Sequence, residues 1–227
     1  MKYRAITSFF LILLLHSLVS IQSVNADETL IFSPIADAYV LPSKPDDNNE
    51  PAEYLWVSLN SSLAFILFDL SDIPADAYIK SVQLQLKVKY LGTLGLSPIE
   101  SIWPNRVAAF QSLNTSWSET EITWNNKPEV VLETLDYDSA NTLEDLCTWK
   151  ITDAVTVGEN LTVVLKAWDN KAGFYPRESE YGPELEIIYT MERPPEPPIL
   201  LIQVIIAICA IAVVGAIIYI KVRHRKK

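Results

Sequence analysis

The strongest constraint on the fold is a strict two-residue alternation in the middle of the chain. In residues 82–89, valine and leucine alternate with glutamine and lysine. Successive side chains of a β-strand point to opposite faces, so this pattern predicts an antiparallel strand with one buried face and one wet face. Residues 161–165 and 185–189 repeat the alternation, whereas the wholly apolar run 63–68 is typical of a strand covered on both faces.

Polar loops separate these predicted strands. Proline, asparagine and aspartate cluster in the intervening segments, at residues 42–51, 72–76, 125–128 and 169–171. Residues 27–190 contain no sustained helical period and no alternation of strand and helix patterns. We therefore predict an all-β ectodomain, a two-sheet β-sandwich of the jelly-roll type.

The sequence at both ends of the chain predicts a protein that is anchored in the cell membrane. Residues 1–26 have the charged start, apolar stretch and small-residue cleavage site of a signal peptide, with an uncleaved anchor as the alternative. Residues 199–220 are apolar apart from one glutamine, which is enough for a transmembrane helix. The basic tail 221–227 marks the cytoplasmic side of that helix. We expect the domain 27–190 to lie outside the cell on a proline-rich stem, residues 191–198.

Charge and residue usage exclude several functions for the outer domain. Residues 27–198 carry 28 acidic and 11 basic side chains, a net charge of −17, so nucleic-acid binding through clustered basic residues is excluded. Both histidines, His16 and His224, lie outside this segment. Catalysis by an imidazole base and a zinc site with histidine ligands are therefore excluded from the outer domain. Cys147 is the single cysteine of the outer domain, so its stability depends on its core without an internal disulfide.

Three asparagines begin the Asn-x-Ser/Thr pattern that is glycosylated on secreted chains. They are Asn60, Asn114 and Asn160. We expect them to be glycosylated if the host cell carries out this modification.

Three runs of sequence point to a known family. Residues 68–81 lead into the alternating strand, a Trp-x-Glu at 117–119 precedes Ile-Thr-Trp-Asn-Asn-Lys-Pro at 122–128, and residues 174–179 precede the last strand. In this order and spacing they resemble the DNRLRE-type domain, a β-sandwich carbohydrate-binding module of disaggregatase-related and polysaccharide-degrading proteins. Residues 37–40 fit the same pattern, and the resemblance covers essentially the whole outer domain.

The resemblance implies binding of a cell-surface polysaccharide, but this chain departs from the pattern in its charges. Members often have a basic residue where this chain has Leu67, and those that bind acidic sugars use lysine and arginine in the N-terminal third. Residues 44–50 have one basic residue among four charged ones. A domain of charge −17 repels a uronate polymer. A neutral glycan is therefore favoured over an acidic one, with a protein partner in the same envelope as the alternative.

Aromatic side chains are the candidates for sugar contact, because the apolar face of a pyranose stacks on an aromatic ring. Trp117 and Trp124 are assigned to the core. The candidate carbohydrate-binding residues are Tyr54, Trp56, Trp103, Tyr175 and Arg177. For Arg177, a structural ion pair with neighbouring charges is the alternative to sugar contact.

Clustered carboxylates suggest a structural calcium ion in one loop. Asp46, Asp47 and Glu50 offer the oxygen ligands that a hard cation prefers, although their spacing matches no EF-hand and a solvated loop is the alternative. No nucleophile elbow, zinc motif or phosphate-binding loop is present, so we expect no enzymatic activity. The sequence thus predicts a non-catalytic, membrane-anchored carbohydrate-binding or envelope adhesion module. The alternative is a structural or protein-interaction ectodomain with the same fold and no sugar site.

Overall fold

The computed structural model describes residues 26–92 and 105–192, and this part of the chain is an all-β domain. A single-turn 3-10 helix, Thr152–Ala154, is the one helix among these residues. The described residues form eleven strands: β1 (Glu28–Phe32), β2 (Ala36–Val40), β3 (Leu55–Ser58), β4 (Leu63–Phe68), β5 (Tyr78–Gly92), β6 (Asn105–Ser112), β7 (Thr134–Ala140), β8 (Leu146–Lys150), β9 (Leu161–Ala167), β10 (Lys171–Phe174) and β11 (Glu184–Thr190).

The first sheet is built around β5, a strand of 15 residues. One edge of β5 pairs with β11 along its first half and with β10 along its second half, while β8 pairs with the opposite edge. β1 and β3 complete the sheet beside β11 and β10. Within β5 the residues at 82, 84, 86 and 88 are buried and those between them are half-buried, so the predicted alternation is confirmed.

The second sheet has the antiparallel order β2-β4-β9-β6-β7. Its strand β4 is buried on both faces, as the apolar run predicts. One face lies in the main core, and the other, which includes Phe65, packs beneath residues 117–130. In that segment Trp117 and Trp124 contact the smaller core cluster, and Trp117 Nε1 donates a hydrogen bond to Thr162 Oγ1 at 3.1 Å.

The main core joins the two sheets into a sandwich. It contains inward-facing side chains from strands of both sheets, together with Leu70 and Ile73 of the β4–β5 loop. Trp149 of β8 is fully buried, and its indole Nε1 donates to the carbonyl of Val107 in β6 at 2.8 Å. One side chain therefore packs in the core and also links the first sheet to the second.

Several predicted features fall outside the described residues. These are the signal peptide up to residue 25, Trp103, the stem from residue 193, the apolar run 199–220 and the basic tail 221–227. Within the described ranges, the structure contains no helix of the length and apolarity required for a membrane span. The signal peptide, the anchor and the jelly-roll class of the sandwich stay predictions.

Candidate functional site

Three aromatic side chains come together on the outer face of the first sheet, where β3, β10 and β5 lie side by side. Trp56 and Tyr90 both pair with Gly173 of β10 in the strand register, and Tyr54 immediately precedes β3. Leu55, which follows Tyr54, is buried, so the alternation along β3 directs Trp56 outward. We refer to Tyr54, Trp56 and Tyr90 as the aromatic platform.

The position of Tyr90 depends on an irregularity in β5. The pairing of β5 with β10 shifts register between Gly173 and Phe174, so that Phe174 pairs with Val88 and Gly173 with Tyr90. This bulge places two consecutive residues, Lys89 and Tyr90, away from the core. Tyr90 is 37% exposed, whereas strict alternation from Val88 directs it inward.

The rings of the aromatic platform are close but tilted. The ring centroids are 5.1 Å apart for Tyr54 and Trp56, 4.9 Å for Trp56 and Tyr90, and 6.1 Å for Tyr54 and Tyr90. The planes meet at 48°, 67° and 68° respectively. The three rings are therefore in mutual contact, and they form a cupped surface instead of a flat strip.

A glycine beneath the aromatic platform allows the rings to approach each other. A Cβ atom built on Gly173 lies 3.3 Å from the Cβ and Cδ1 of Tyr54 and 3.3 Å from the Cβ of Tyr90. These separations are shorter than ordinary van der Waals contact, so any side chain at position 173 would push both tyrosines outward.

Two lysines border the aromatic platform. Lys171 Nζ lies 5.7 Å from the ring centroids of both Trp56 and Tyr90, and Lys89 Nζ lies 4.8 Å from that of Tyr54. Lys89 also donates a hydrogen bond to the carbonyl of Glu53 at 3.0 Å. Within the described part of the chain, no carboxylate lies within 4 Å of Lys171 Nζ, which leaves this ammonium group available as a donor to a ligand.

The polar surface continues from the aromatic platform along β5. Lys89 Nζ is 5.2 Å from the ring of Tyr175, which contacts Tyr181, and Lys87 Nζ lies 3.9 Å above the Tyr181 ring. Glu144 joins these groups, because it accepts a hydrogen bond from Tyr175 Oη at 2.9 Å and pairs with Lys87 at 2.7 Å. These hydrogen bonds lower the pKa of Glu144 and raise the pKa of Lys87 and of Tyr175.

This surface combines the two elements that a polyhydroxylated ligand requires. The partly exposed ring faces can stack on apolar C–H groups, and the ammonium groups can donate hydrogen bonds to hydroxyl oxygens. A cleft of about 190 Å³ adjoins it, lined by Gln85, Lys87, Leu146, Glu180, Tyr181, Gly182 and Glu184. The arrangement suits binding along the outer face of the sheet.

The structure separates the predicted sugar-contact residues into two groups. Tyr54 and Trp56 are neighbours in the aromatic platform, and Tyr175 lies beyond Lys89. Arg177 lies elsewhere: its Nε is 3.0 Å from Glu119 Oε2 and 2.9 Å from Glu178 Oε1. Alternation along β5 could not identify Tyr90. Lys89 and Lys171 could not be identified from the sequence either, because their proximity to the rings depends on cross-strand neighbours.

The three predicted calcium ligands do not converge within the described residues. Asp46 accepts a hydrogen bond from Asn125 Nδ2 at 2.8 Å, and Asp47 is 3.7 Å from Lys44 Nζ. Glu50 accepts from the backbone N–H of Ala52 at 2.9 Å. The calcium site at Asp46, Asp47 and Glu50 stays a prediction. The asparagines of all three glycosylation patterns, Asn60, Asn114 and Asn160, are exposed.

Trp168, in the β9–β10 loop, is an exposed tryptophan that is not part of the aromatic platform. Trp168 is 52% exposed and lines a cleft of about 410 Å³ with Arg106 and Tyr137. Among the described residues its ring has no aromatic partner, and Arg106 is engaged with Asp169 at 2.7 Å. It provides an exposed tryptophan with which the platform can be compared.

The domain is similar to a known family of modules. The family model described as carbohydrate-binding module family 96 matches residues 28–189, which is nearly the whole described domain. No curated protein matches this chain.

Proposed function

Because this chain belongs to carbohydrate-binding module family 96, we propose that its β-sandwich binds a polysaccharide through the aromatic platform and does so without catalysis. The observation that carries this proposal is the contact of Tyr54, Trp56 and Tyr90 on an open sheet face bordered by Lys89 and Lys171. Tyr175 extends the same face. Trp103, predicted from the sequence, is a further proposed contact.

The proposed ligand is a single glycan chain. Binding to the flat face of an ordered polysaccharide requires rings that lie in one plane, whereas the planes in the aromatic platform meet at 48° to 68°. A cupped surface instead follows the curvature of one chain, with one or two sugar rings stacked and their hydroxyls bonded to the lysines.

We also propose that the glycan is neutral. The excess of 28 acidic over 11 basic side chains in residues 27–198 disfavours a polyuronate at low salt. Lys87 is paired with Glu144, so two of the three lysines of this face remain to contact a ligand. These two ammonium groups can donate hydrogen bonds to sugar hydroxyls, so the sugar needs no charged group to bind them.

The module is proposed to act at the cell surface. The signal peptide predicted at residues 1–26 and the transmembrane helix predicted at 199–220 support a single-pass protein with the binding domain outside and the basic tail inside. A short proline-rich stem would hold the DNRLRE-type domain close to the membrane. The function is then retention of an envelope glycan or adhesion to one.

Binding is tested with the full chain in a polyoxyethylene detergent, since detergents with sugar headgroups would compete for the site. The probes are neutral glucan, mannan and galactan oligosaccharides and a polyuronate, measured by isothermal titration calorimetry. We expect Trp56→Ala to weaken binding of the best neutral probe at least about fivefold, because stacking on one ring contributes about 1–3 kcal/mol. Trp168→Ala is the matched control, an exposed tryptophan outside the aromatic platform, and should bind as the parent chain does.

Three results would overturn the proposal in different ways. Loss of binding in Trp168→Ala with retention in Trp56→Ala would move the site to the cleft beside Arg106. Preference for the polyuronate, with affinity that falls as salt rises, would refute the neutral ligand. A folded chain that binds no probe would favour the alternative, an ectodomain that recognises a protein of the envelope.

A further inference from the structure

Four carboxylates from four separate segments of the chain meet at one place. Asp37 is in β2, Glu50 is in the β2–β3 loop, Glu119 is in the β6–β7 connection and Glu178 is in the β10–β11 loop. Oxygen atoms of Asp37, Glu119 and Glu178 lie within 4.8 Å of one another. We refer to Asp37, Glu50, Glu119 and Glu178 as the acidic cluster.

The acidic cluster contains buried oxygens that lack a partner. Asp37 is 0% exposed; its Oδ2 accepts the backbone N–H of Arg177 at 2.8 Å, but its Oδ1 has no hydrogen-bond donor among the described residues. Glu50 Oε1 is also buried without a partner in this part of the chain. Buried polar atoms are nearly always bonded, and an unpaired carboxylate oxygen points to a missing cation or donor.

The charges of the acidic cluster are not balanced by protein groups. Arg177 is the one basic side chain within 4 Å of these carboxylates in the described ranges, and it contacts Glu119 and Glu178. Four carboxylates with a single basic partner leave an excess of negative charge that a bound cation would balance.

We propose that the acidic cluster binds one calcium ion, with Asp37, Glu119 and Glu178 as ligands and Glu50 as the nearest additional carboxylate. Calcium–oxygen distances of 2.3–2.6 Å place opposite ligands about 4.6–5.2 Å apart, which accommodates oxygens separated by up to 4.8 Å. Magnesium, at about 2.0–2.1 Å, requires opposite ligands about 4.0–4.2 Å apart and a more rigid octahedron. The ligands come from a strand and two loops, and such an irregular set suits calcium, which accepts flexible geometry, better than magnesium.

The ion would tie parts of the fold that are distant in sequence. Asp37 and Arg177, already joined by a hydrogen bond, are 140 residues apart. An ion at the acidic cluster fixes the β10–β11 loop against β2 of the second sheet. Because this loop begins with Tyr175, calcium would also restrict the segment that extends the sugar-binding face.

The test measures metal binding directly and does not depend on a glycan. The full chain, in the same detergent, is stripped with EDTA and dialysed, and calcium or magnesium is titrated by calorimetry and by thermal unfolding at constant ionic strength. We expect one calcium ion per chain, weaker binding of magnesium, and a rise in Tm of about 5–10 °C when free calcium exceeds its Kd by about 100-fold. Absence of calcium binding at 10 mM would overturn the proposal.

Two glutamine variants and one control locate the ion. Glu178→Gln and Glu119→Gln should each weaken calcium binding at least tenfold, because the charge of the ligand set determines affinity. In EDTA, Glu178→Gln should keep or raise Tm, since it removes repulsion between the carboxylates of the acidic cluster. In calcium, the variant should not show the rise in Tm that calcium produces in the parent chain. Asp47→Asn is the matched control in the loop predicted from the sequence. Calcium affinity that depends on Asp47 and not on Glu178 would place the ion in that loop and refute the acidic cluster.

Discussion

Replacement of Arg177 by methionine separates its two candidate roles. If Arg177 contacts the sugar, the substitution should lower glycan affinity and leave stability nearly unchanged. If Arg177 is the counterion of the acidic cluster, the substitution should lower stability and leave glycan affinity nearly unchanged. Because its guanidinium lies within 3.0 Å of Glu119 and 2.9 Å of Glu178, and no described aromatic ring stacks on it, we expect the second result.

The size of the effect follows from the burial of the partners. Removal of one partner from a fully buried ion pair costs about 3–5 kcal/mol, whereas exposed pairs contribute about 0–1 kcal/mol. The Glu119 side chain is 15% exposed and that of Arg177 is 37% exposed. The free-energy cost of breaking this pair should therefore lie between the values for buried and for exposed ion pairs. We expect the Arg177→Met variant to lose about 2 kcal/mol of unfolding free energy, a fall in Tm of about 4–8 °C.

The assay is thermal unfolding in EDTA, followed by glycan titration of the same sample. Arg106→Met is the control, because Arg106 pairs with a single carboxylate, Asp169, and should cause a smaller fall in Tm. Calcium should restore much of the stability of Arg177→Met, since it replaces the lost positive charge. Weakened glycan binding with an unchanged Tm would refute the reasoning and return Arg177 to the sugar site.

Three further predictions concern the core, the thiol and the glycine of the site. Trp149→Phe removes the indole donor to the carbonyl of Val107 and should lower the urea-measured free energy of unfolding by about 1–3 kcal/mol; an unchanged value would mean that the carbonyl finds another donor. In a Cys209→Ser background, Cys147 should not react with a thiol reagent until the chain unfolds, because it is 1% exposed and burial raises its pKa to about 12; rapid labelling of the native chain would contradict its placement. Gly173→Val should reduce glycan affinity at least tenfold with a change in Tm of only a few degrees, since it displaces both tyrosine rings; retained affinity would exclude the aromatic platform.

The sheet architecture could be predicted because it depends on local periodicity. Residues 82–89 alternate along β5, and the apolar run 63–68 is β4, buried on both faces. The assignment of Trp117 and Trp124 to packing is likewise what the structure has. In each case the burial pattern repeats within one strand or one motif, so no information about distant residues was needed.

The aromatic platform could be predicted only in part, because two of its determinants are not local. Tyr54 and Trp56 lie in one short segment next to a polar loop and could be singled out as candidates from the sequence, and the structure has both half-buried. Tyr90 required the bulge opposite Gly173, which appears only when β5 is aligned with β10. A periodic pattern cannot reveal a register shift that is set by the partner strand.

The acidic cluster illustrates the same limit for charged residues. The predicted calcium ligands Asp46, Asp47 and Glu50 were chosen because they are close along the chain. In the fold they have separate partners. Asp37, in contrast, is an acidic residue within an otherwise apolar strand, ADAYV. That local conflict was the available signal, because an aspartate that faces a buried environment requires a partner.

The distribution of charge also limits what net charge can predict about the ligand. At physiological salt the field of a charge is screened within about 8–10 Å, so a glycan on the aromatic platform responds to Lys89 and Lys171 more than to the domain charge of −17. The case for a neutral glycan therefore depends on whether the two lysines donate hydrogen bonds to sugar hydroxyls. If they do, Lys171→Gln, which keeps a donor, should retain most of the affinity at every salt concentration. If instead they bind carboxylates, the same substitution should weaken binding strongly at low salt and have little effect at high salt.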